Sequence, residues 1–426
     1  MYAARLIVAA LMGGLSSILT HEGIAIFHDG LRPLMPELLE GRMQRRELAV
    51  TAFAMSFGLV IGYGLPLSIT AGILLIHTIF LATDLIGIAS PNRYIAGIAG
   101  ALWGVGIVVG IQAIVHAFTF LPVNFLPGLG QVGAATVAAF AVFPAVAVGL
   151  QFGWARGLIT LTLQAVAVQI ATVFNPIPIG RARIPLNPEG AALIVGMLML
   201  VIFATRVRAA PGEEGLAHVF RDRVKRIRRN TLILAVMGGL VGAASNLLLV
   251  AGDPISLTLL ASGDRTGAAI AALARAVGYV PLVATTAIAT GVYGPAGLTF
   301  AFGVGLLLPN PILAFVAGAV IIVAEVQLLA LLSGFLDLFP GMREAGGFIR
   351  SAMSQVLEIA LLAGGMIAGN AIAPGLGFFV VSAVIALNEI AGSPVSRLAI
   401  GPVAALVTGV LVNLLHVVGL FRPPVH

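Results

Sequence analysis

The sequence predicts an all-α polytopic membrane protein with about 12–14 transmembrane segments in two inverted-topology repeats of seven, including broken or re-entrant helices. Three observations support this prediction. The composition is strongly apolar, the apolar runs recur at the length of membrane spans, and the two halves of the chain share residues in the same order.

The composition excludes an ordinary soluble protein. Of 426 residues, 59% are hydrophobic and 9% are charged, whereas soluble domains carry roughly 25% charged residues. Cysteine is absent, which excludes disulfides and thiolate metal sites, and we predict neither a metal nor another cofactor.

Apolar runs of about 20 residues are long enough to cross the hydrocarbon core as helices. The run at 296–309 is shorter, and we expect a half-helix or a re-entrant segment there. The predicted spans are 4–20, 47–63, 66–88, 94–117, 132–150, 153–173, 189–206, 231–251, 267–292, 296–309, 311–334, 349–369, 371–390 and 398–419.

The formal charge of +6 is concentrated in one place. Eight basic and three acidic residues lie from Arg206 to Arg229, at the end of the predicted span 189–206 and in the predicted linker 207–230. The positive-inside rule makes this linker cytoplasmic rather than nucleic-acid-binding. We therefore expect a multi-pass membrane protein with the linker in the cytoplasm and both termini on the other side of the membrane.

The two halves resemble each other. Met12-Gly13-Gly14-Leu15 aligns with Met237-Gly238-Gly239-Leu240, and Gly100 aligns with Gly318. Seven spans per half is an odd number, so the second repeat enters the membrane inverted. The predicted division is a first repeat at 1–206, the linker at 207–230 and a second repeat at 231–426. Further aligned pairs are Ser56 with Thr286, Tyr63 with Tyr293, and Pro91-Asn92 with Pro309-Asn310.

Charged residues inside spans are costly and commonly face a pathway or a partner. Glu325, Glu358 and Glu389 are the predicted coupling-ion or proton sites. Structural pairing with Arg275 or with a backbone donor is the alternative for Glu325 and Glu358. Asp84 and Glu389 lie near span ends, where snorkelling to the interface is the alternative.

The segment from Gly278 to Pro295 reads GYVPLVATTAIATGVYGP. Pro281 removes a backbone hydrogen bond, and Gly291 and Gly294 permit a break. A broken helix exposes N–H groups that suit an anion, whereas a proline-kinked helix with self-bonded threonines is the alternative. The predicted substrate-binding residues are Thr285, Thr286, Thr290, Ser56, Asp84 and Asn388.

The loop between the first two predicted spans is unusually polar for this chain. It contains His28, Asp29 and Arg32, but no HExxH spacing typical of zinc enzymes. We expect a gate or an interfacial helix there rather than a metal site.

Several motifs resemble the YhfT family of uncharacterised bacterial inner-membrane proteins. They include FHDGxRP at 27–33, EGxMxRRE at 40–47, TDLIG at 83–87, QFGW at 151–154, VPLVATTAIATGVY at 280–293 and LNE at 387–389. The similarity runs along nearly the whole chain. The resemblance implies a membrane transporter, and it does not imply a particular substrate.

Together these features predict a secondary active transporter, not an enzyme, for a small anionic or zwitterionic organic solute. Coupling to H⁺ or Na⁺ is expected because no nucleotide-binding motif is present. An elevator-type movement, a homodimer and contact with membrane lipids are expected by analogy. A membrane enzyme acting on a lipid-linked substrate, and a channel or scaffold, remain alternatives.

Overall fold

The computed structural model describes residues 2–28, 31–60, 64–132, 139, 141–175, 177–179, 182–184, 188–207, 217–294 and 296–422. At some of these positions, among them 278–286 and 332–338, it gives the backbone alone. The described chain is almost entirely helical, as the sequence predicts.

The first part of the chain alternates long helices with short ones. A 3₁₀ turn, Arg32–Leu34, precedes α2. The elements are α1 (Tyr2–His21), α2 (Met35–Leu39), α3 (Arg45–Leu59), α4 (Leu65–Ala71), β1 (Leu74–Leu75), α5 (Ile76–Ala89), α6 (Arg93–Phe118), α7 (Leu126–Leu129), α8 (Phe143–Phe152), α9 (Trp154–Val173), β2 (Ile177–Ile179), β3 (Ala182–Ile184) and α10 (Pro188–Ala204).

The second part begins with the basic helix of the linker. Its elements are α11 (Ala217–Arg229), α12 (Thr231–Asn246), β4 (Val250–Ala251), α13 (Pro254–Ala261), α14 (Arg265–Thr290), α15 (Ala296–Leu307), α16 (Pro311–Leu338), α17 (Pro340–Ile372), α18 (Leu376–Ile390) and α19 (Arg397–Val417).

Local sequence explains where several helices begin and end. The side chain of Asn92 accepts from the N–H groups of Tyr94 and Ile95 and caps α6. Asp253 caps α13 in the same way through the N–H of Ser256. Gly72 and Gly291 take left-handed φ values of +66° and +70° and end α4 and α14.

Among the residues that the structure describes, six helices are long and apolar enough to cross a membrane, and the chain is a multi-pass membrane protein. They are the helices Tyr2–His21, Arg93–Phe118, Trp154–Val173, Pro311–Leu331, Gly347–Ile372 and Arg397–Val417. A seventh span arises if α12 is joined to the end of α11 across a bend of 62°. Five further apolar helices have 10–17 residues, so length and composition support fewer crossings than the 12–14 predicted.

Two predicted spans have a different local structure. The predicted span 66–88 is divided into α4, β1 and α5, because Gly72 ends the helix and Leu74 pairs as a strand. The predicted span 267–292 is one helix, α14, which continues past Pro281 and ends at Gly291. The chain therefore leaves the helix at the glycine, not at the proline.

The two parts pack in matching ways. Helix α1 packs against α5 and α6, and α12 packs against α15 and α16. The two groups meet where α1 contacts α12. A separate hydrophobic cluster joins α8, α10 and α17 through residues such as Phe143, Leu193 and Ile349.

Candidate functional site: a cavity beside two crossing segments

Two extended segments from each half pair with each other near the centre of the fold. β1 lies parallel to β4, with Leu74 opposite Val250 and Leu75 opposite Ala251. Ala25 forms a parallel bridge with Tyr293, whose N–H donates to Ile24 and whose carbonyl accepts from Ile26. Each pair therefore joins a segment that follows a long helix in one half to a segment that precedes a short helix in the other.

The short helices α5 and α15 begin immediately after these segments. They have 14 and 12 residues, or about 21 and 18 Å at about 1.5 Å per residue. Both lengths are below the roughly 30 Å of a hydrocarbon core. Ile76 and Thr78 in the first turn of α5, and Leu298 in the first turn of α15, are buried. The first turns of both helices therefore lie inside the fold, where their backbone N–H groups give a positive local field.

A cavity of about 60 Å³ lies beside these first turns. Residues from both halves line it, and they include polar and aromatic side chains. The lining residues are Phe27, Ile76, His77, Phe80, Leu81, Gly252, Arg275, Leu298, Thr299 and Phe302.

Arg275 and His77 are polar residues of the cavity lining. Arg275 Nη1 lies 3.4 Å from Asp253 Oδ2, and both side chains are buried. The same Asp253 oxygen accepts from the Ser256 hydroxyl at 2.6 Å, which fixes the carboxylate. Arg275 and His77 thus place a guanidinium and an imidazole on the cavity lining, and Asp253 balances the charge of Arg275.

Three phenylalanine rings also line the cavity. The rings of Phe27 and Phe80 stack with centroids 4.1 Å apart and an interplanar angle of 17°. Phe302 packs directly on Gly252, where a Cβ atom would come within 2.9 Å of the ring. Gly252 therefore keeps room for both the ring and the cavity.

A second polar centre surrounds Arg32, which is fully buried. Its Nε donates to the carbonyl of Ile26 at 3.2 Å, and its guanidinium lies against Gly294. Ile26 adjoins Phe27, whose N–H binds Asp84, and Gly294 adjoins Tyr293, whose hydroxyl binds Glu325. Arg32 therefore lies near two carboxylates from different halves of the chain.

Both carboxylates are held by donors. Asp84 accepts from the Thr20 hydroxyl at 2.7 Å and from the N–H groups of Phe27 and His28 at 2.9 and 2.6 Å. Glu325 accepts from the Tyr293 hydroxyl at 2.5 Å and from the N–H of Gly297 at 2.9 Å. The two side chains therefore fix the crossing segments and the first turn of α15.

The structure brings only some of the predicted site residues together. Asp84, Glu325, His28 and Arg32 lie around the crossing segments. The hydroxyl of Thr290 binds Val292 in the adjacent turn. Asp29 and the side chains of Thr285 and Thr286 lie outside the described residues.

Among the described residues, none of the predicted site residues lines the cavity. Ser56 is buried in α3, and its hydroxyl has no hydrogen-bond partner within the described ranges. Asn388 binds the backbone of Val395 through both its oxygen and its nitrogen. Glu389 is exposed and pairs with Arg397, near which Glu358 also lies.

Sequence reasoning missed His77, Asp253 and Thr299. His77 sits at the start of an apolar helix, and only the turn at Gly72 indicates that a helix begins there. The sequence Gly252-Asp253-Pro254 does carry a helix-start signal, since aspartate before proline is typical of an N-cap. That signal predicts a cap and gives no indication of the buried partner Arg275.

Comparison with known proteins shows the family of the chain. Residues 5–421 match the model of the YhfT family, described as a protein of unknown function. The chain is 38% identical to the uncharacterized protein YhfT of Escherichia coli (strain K12), over 98% of this chain and 99% of that protein. No solved structure matches. The chain belongs to the YhfT family.

Proposed function

We propose that the chain is a secondary active transporter for a small anionic or zwitterionic organic solute, which binds in the cavity beside Arg275. The observation that carries this proposal is the cavity itself. Residues from both halves line it, and the first turns of two short helices border it. Discontinuous helices that meet at a central site are typical of secondary transporters.

The packing of aligned glycines supports two inverted repeats of seven spans. Gly13 lies against the backbone of Gly100, and Gly238 lies against the backbone of Gly318. The internal alignment pairs Gly13 with Gly238 and Gly100 with Gly318. In both halves the same positions thus bring the first predicted span onto the fourth predicted span, which favours a duplicated unit.

The cavity favours a solute with a small charged end and a compact apolar body. Arg275 and His77 line the cavity and suit a carboxylate or another anion. The rings of Phe27 and Phe80 suit the apolar part. At about 10–15 Å³ per water molecule, a cavity of about 60 Å³ holds only a few water molecules, so we infer a small solute.

The centre around Arg32 is the proposed coupling site. With both carboxylates ionised, Asp84, Glu325 and Arg32 together carry one net negative charge. Binding one H⁺ or one Na⁺ neutralises the group, and that neutralisation reduces the cost of moving it within a low-dielectric region. Asp84 and Glu325 hold the crossing segments, so a change of charge there acts directly on the walls of the cavity.

We propose an elevator-type movement in a homodimer of the bacterial inner membrane, with both termini in the periplasm. The support is the separate hydrophobic cluster that joins α8, α10 and α17. One group of helices then carries the cavity, and the other provides a body against which it moves.

A thermal-shift screen of the purified full-length protein tests this function. Small carboxylates and amino acids are added one at a time, with Na⁺ and pH varied. A solute at 100 times its dissociation constant stabilises the folded state by about 2.7 kcal/mol. We expect a stabilising solute whose effect depends on Na⁺ or pH.

Variants then locate the binding site. The shift is expected to fall in His77→Gln and Thr299→Val, whose side chains line the cavity. It is expected to persist in His116→Gln, because His116 is exposed near the end of α6. Uptake of the same solute into proteoliposomes, with an imposed ion gradient, establishes transport. A solute that binds but is turned over to a product supports the membrane-enzyme alternative instead.

A further inference from the structure

Helix α11 lies at an angle to the neighbouring span. Its last part, Asp222–Arg229, is bent by 62° relative to α12. Asp222–Arg229 therefore does not continue along the axis of α12. Its sequence, with apolar Val224 and Ile227 among arginine and lysine, is typical of a helix at a membrane interface.

The inner face of α11 holds both crossing segments. Val224 and Ile227 are 2% and 1% exposed, and the helix packs against α14 and α16. Arg226 Nη2 donates to the carbonyl of Gly23 at 3.1 Å, just before the segment that contains Ala25. Gly291, which precedes Tyr293, lies against Arg223, so a Cβ on it would come within 3.1 Å of the Arg223 Cβ.

The outer face of α11 is basic. Lys225, Arg228 and Arg229 are exposed, as is Asp222. Asp222 pairs with Lys225 at 3.0 Å, but exposed pairs of this kind are weak and exchange readily with other partners. The outer face therefore presents a positive surface on the same helix that holds Gly23 and Gly291.

We propose that the outer face of α11 binds the phosphate groups of anionic phospholipids, and that this contact steadies the crossing segments at the cavity. Clusters of basic residues next to a span attract the anionic lipids of the adjacent leaflet. The inner-face contacts with Gly23 and Gly291 transmit any displacement of α11 to Ile24–Phe27 and to Val292–Tyr293. This proposal does not depend on transport activity.

Lipid binding by the full-length protein in neutral detergent tests the first half. Dioleoylphosphatidylglycerol or dioleoylphosphatidylcholine is titrated, and bound lipid is counted by native mass spectrometry. The wild type is compared with the triple variant Lys225→Gln/Arg228→Gln/Arg229→Gln. The matched control, Arg93→Gln/Arg156→Gln/Arg422→Gln, removes the same number of exposed charges elsewhere.

We expect the preference for the anionic lipid to fall about 10- to 100-fold in the α11 variant, since each basic residue contributes to lipid attraction. The control is expected to keep the wild-type preference. Equal preference in wild type and α11 variant overturns the proposal. So does inorganic phosphate that competes fully with the lipid, because the site then recognises free phosphate.

Hydrogen exchange tests the second half on the same samples. Anionic lipid is expected to slow amide exchange of residues 24–28 and 292–294 in the wild type and in the control, but not in the α11 variant. Lipid that binds α11 without slowing exchange in these segments overturns the proposed link.

Discussion

The guanidinium of Arg275 lies 3.4 Å from the carboxylate of Asp253, and this buried pair joins α14 to the start of α13 beside the cavity. A buried ion pair adds little net stability over an apolar pair of the same volume, because two charges lose their water. Of the two residues, Arg275 lines the cavity, and in the proposed function it is the residue that contacts the solute. A solute carboxylate that contacts Arg275 does so with the guanidinium already desolvated and oriented.

The first prediction concerns Asp253. Asp253→Asn removes the partner of a buried cation, and breaking such a pair is expected to destabilise the fold by about 3–5 kcal/mol. The measurement is thermal or denaturant unfolding of the purified protein in detergent.

Asp264→Asn is the matched control for this prediction. Asp264 caps α14 through the N–H of Gly267, as Asp253 caps α13, but it is only partly buried. Asparagine is an equally good N-cap, so the control is expected to lose well under 1 kcal/mol. Equal losses in both variants show that the Arg275 pair has no special weight.

The second prediction concerns coupling at Glu325. Glu325→Gln removes the titratable group and keeps an oxygen that can accept from Gly297. Uptake by the variant is expected to lose its dependence on pH or Na⁺, while solute exchange without a gradient continues. Glu358→Gln and Glu389→Gln are measured alongside, because both residues remain predicted coupling sites.

Glu37→Gln serves as a control for general charge effects. Glu37 is exposed in α2 and pairs with Arg42, away from the Arg32 centre. It is expected to leave the ion dependence unchanged. An unaltered ion dependence in Glu325→Gln places the coupling site elsewhere in the chain.

The third prediction concerns the packing of aligned glycines. A Cβ on Gly238 would lie 2.6 Å from the Gly318 carbonyl oxygen, and a Cβ on Gly13 would overlap the backbone of Gly100. Gly13→Ala and Gly238→Ala are each expected to destabilise the fold by about 1–3 kcal/mol, because two backbones must separate.

Gly106→Ala is the control on α6, since a Cβ there meets nothing within 4 Å. Alanine is favoured over glycine inside a helix by up to about 1 kcal/mol, so this variant is expected to be neutral or slightly more stable. Two tolerated alanines at Gly13 and Gly238 contradict the close contacts on which the repeat argument rests.

Much of the fold is predictable from the sequence, because membrane helices are specified by length and hydropathy. The start of α6 after Asn92 follows from a local signal, whereas the helix in the basic linker is not predicted. The split of the span 66–88 does not, since Leu74 becomes a strand only through pairing with Val250 from the other half. Hydropathy is the same for both conformations, and such long-range pairing leaves no local signal.

The site shows the same limit. Charge inside apolar runs draws attention to Asp84 and Glu325, because carboxylates in spans need partners, and both accept backbone hydrogen bonds in the structure. The sequence does not show that Arg32, from a polar loop, is the buried cation beside them. Histidine at position 77 carries no signal in an apolar helix until Gly72 and the strand pairing place it at a helix start inside the fold.

The most direct test of the central claim is the accessibility of Thr299 from each side of the membrane. The chain contains no cysteine, so Thr299→Cys is a single reactive site on the cavity wall. A membrane-impermeant, negatively charged methanethiosulfonate is applied to right-side-out and inside-out vesicles, with Thr408→Cys as a fully buried control. We predict labelling of Thr299→Cys from both sides, at rates that change in opposite directions when the ion gradient is reversed. Labelling from one side only, or at rates that change in parallel, contradicts an alternating-access carrier.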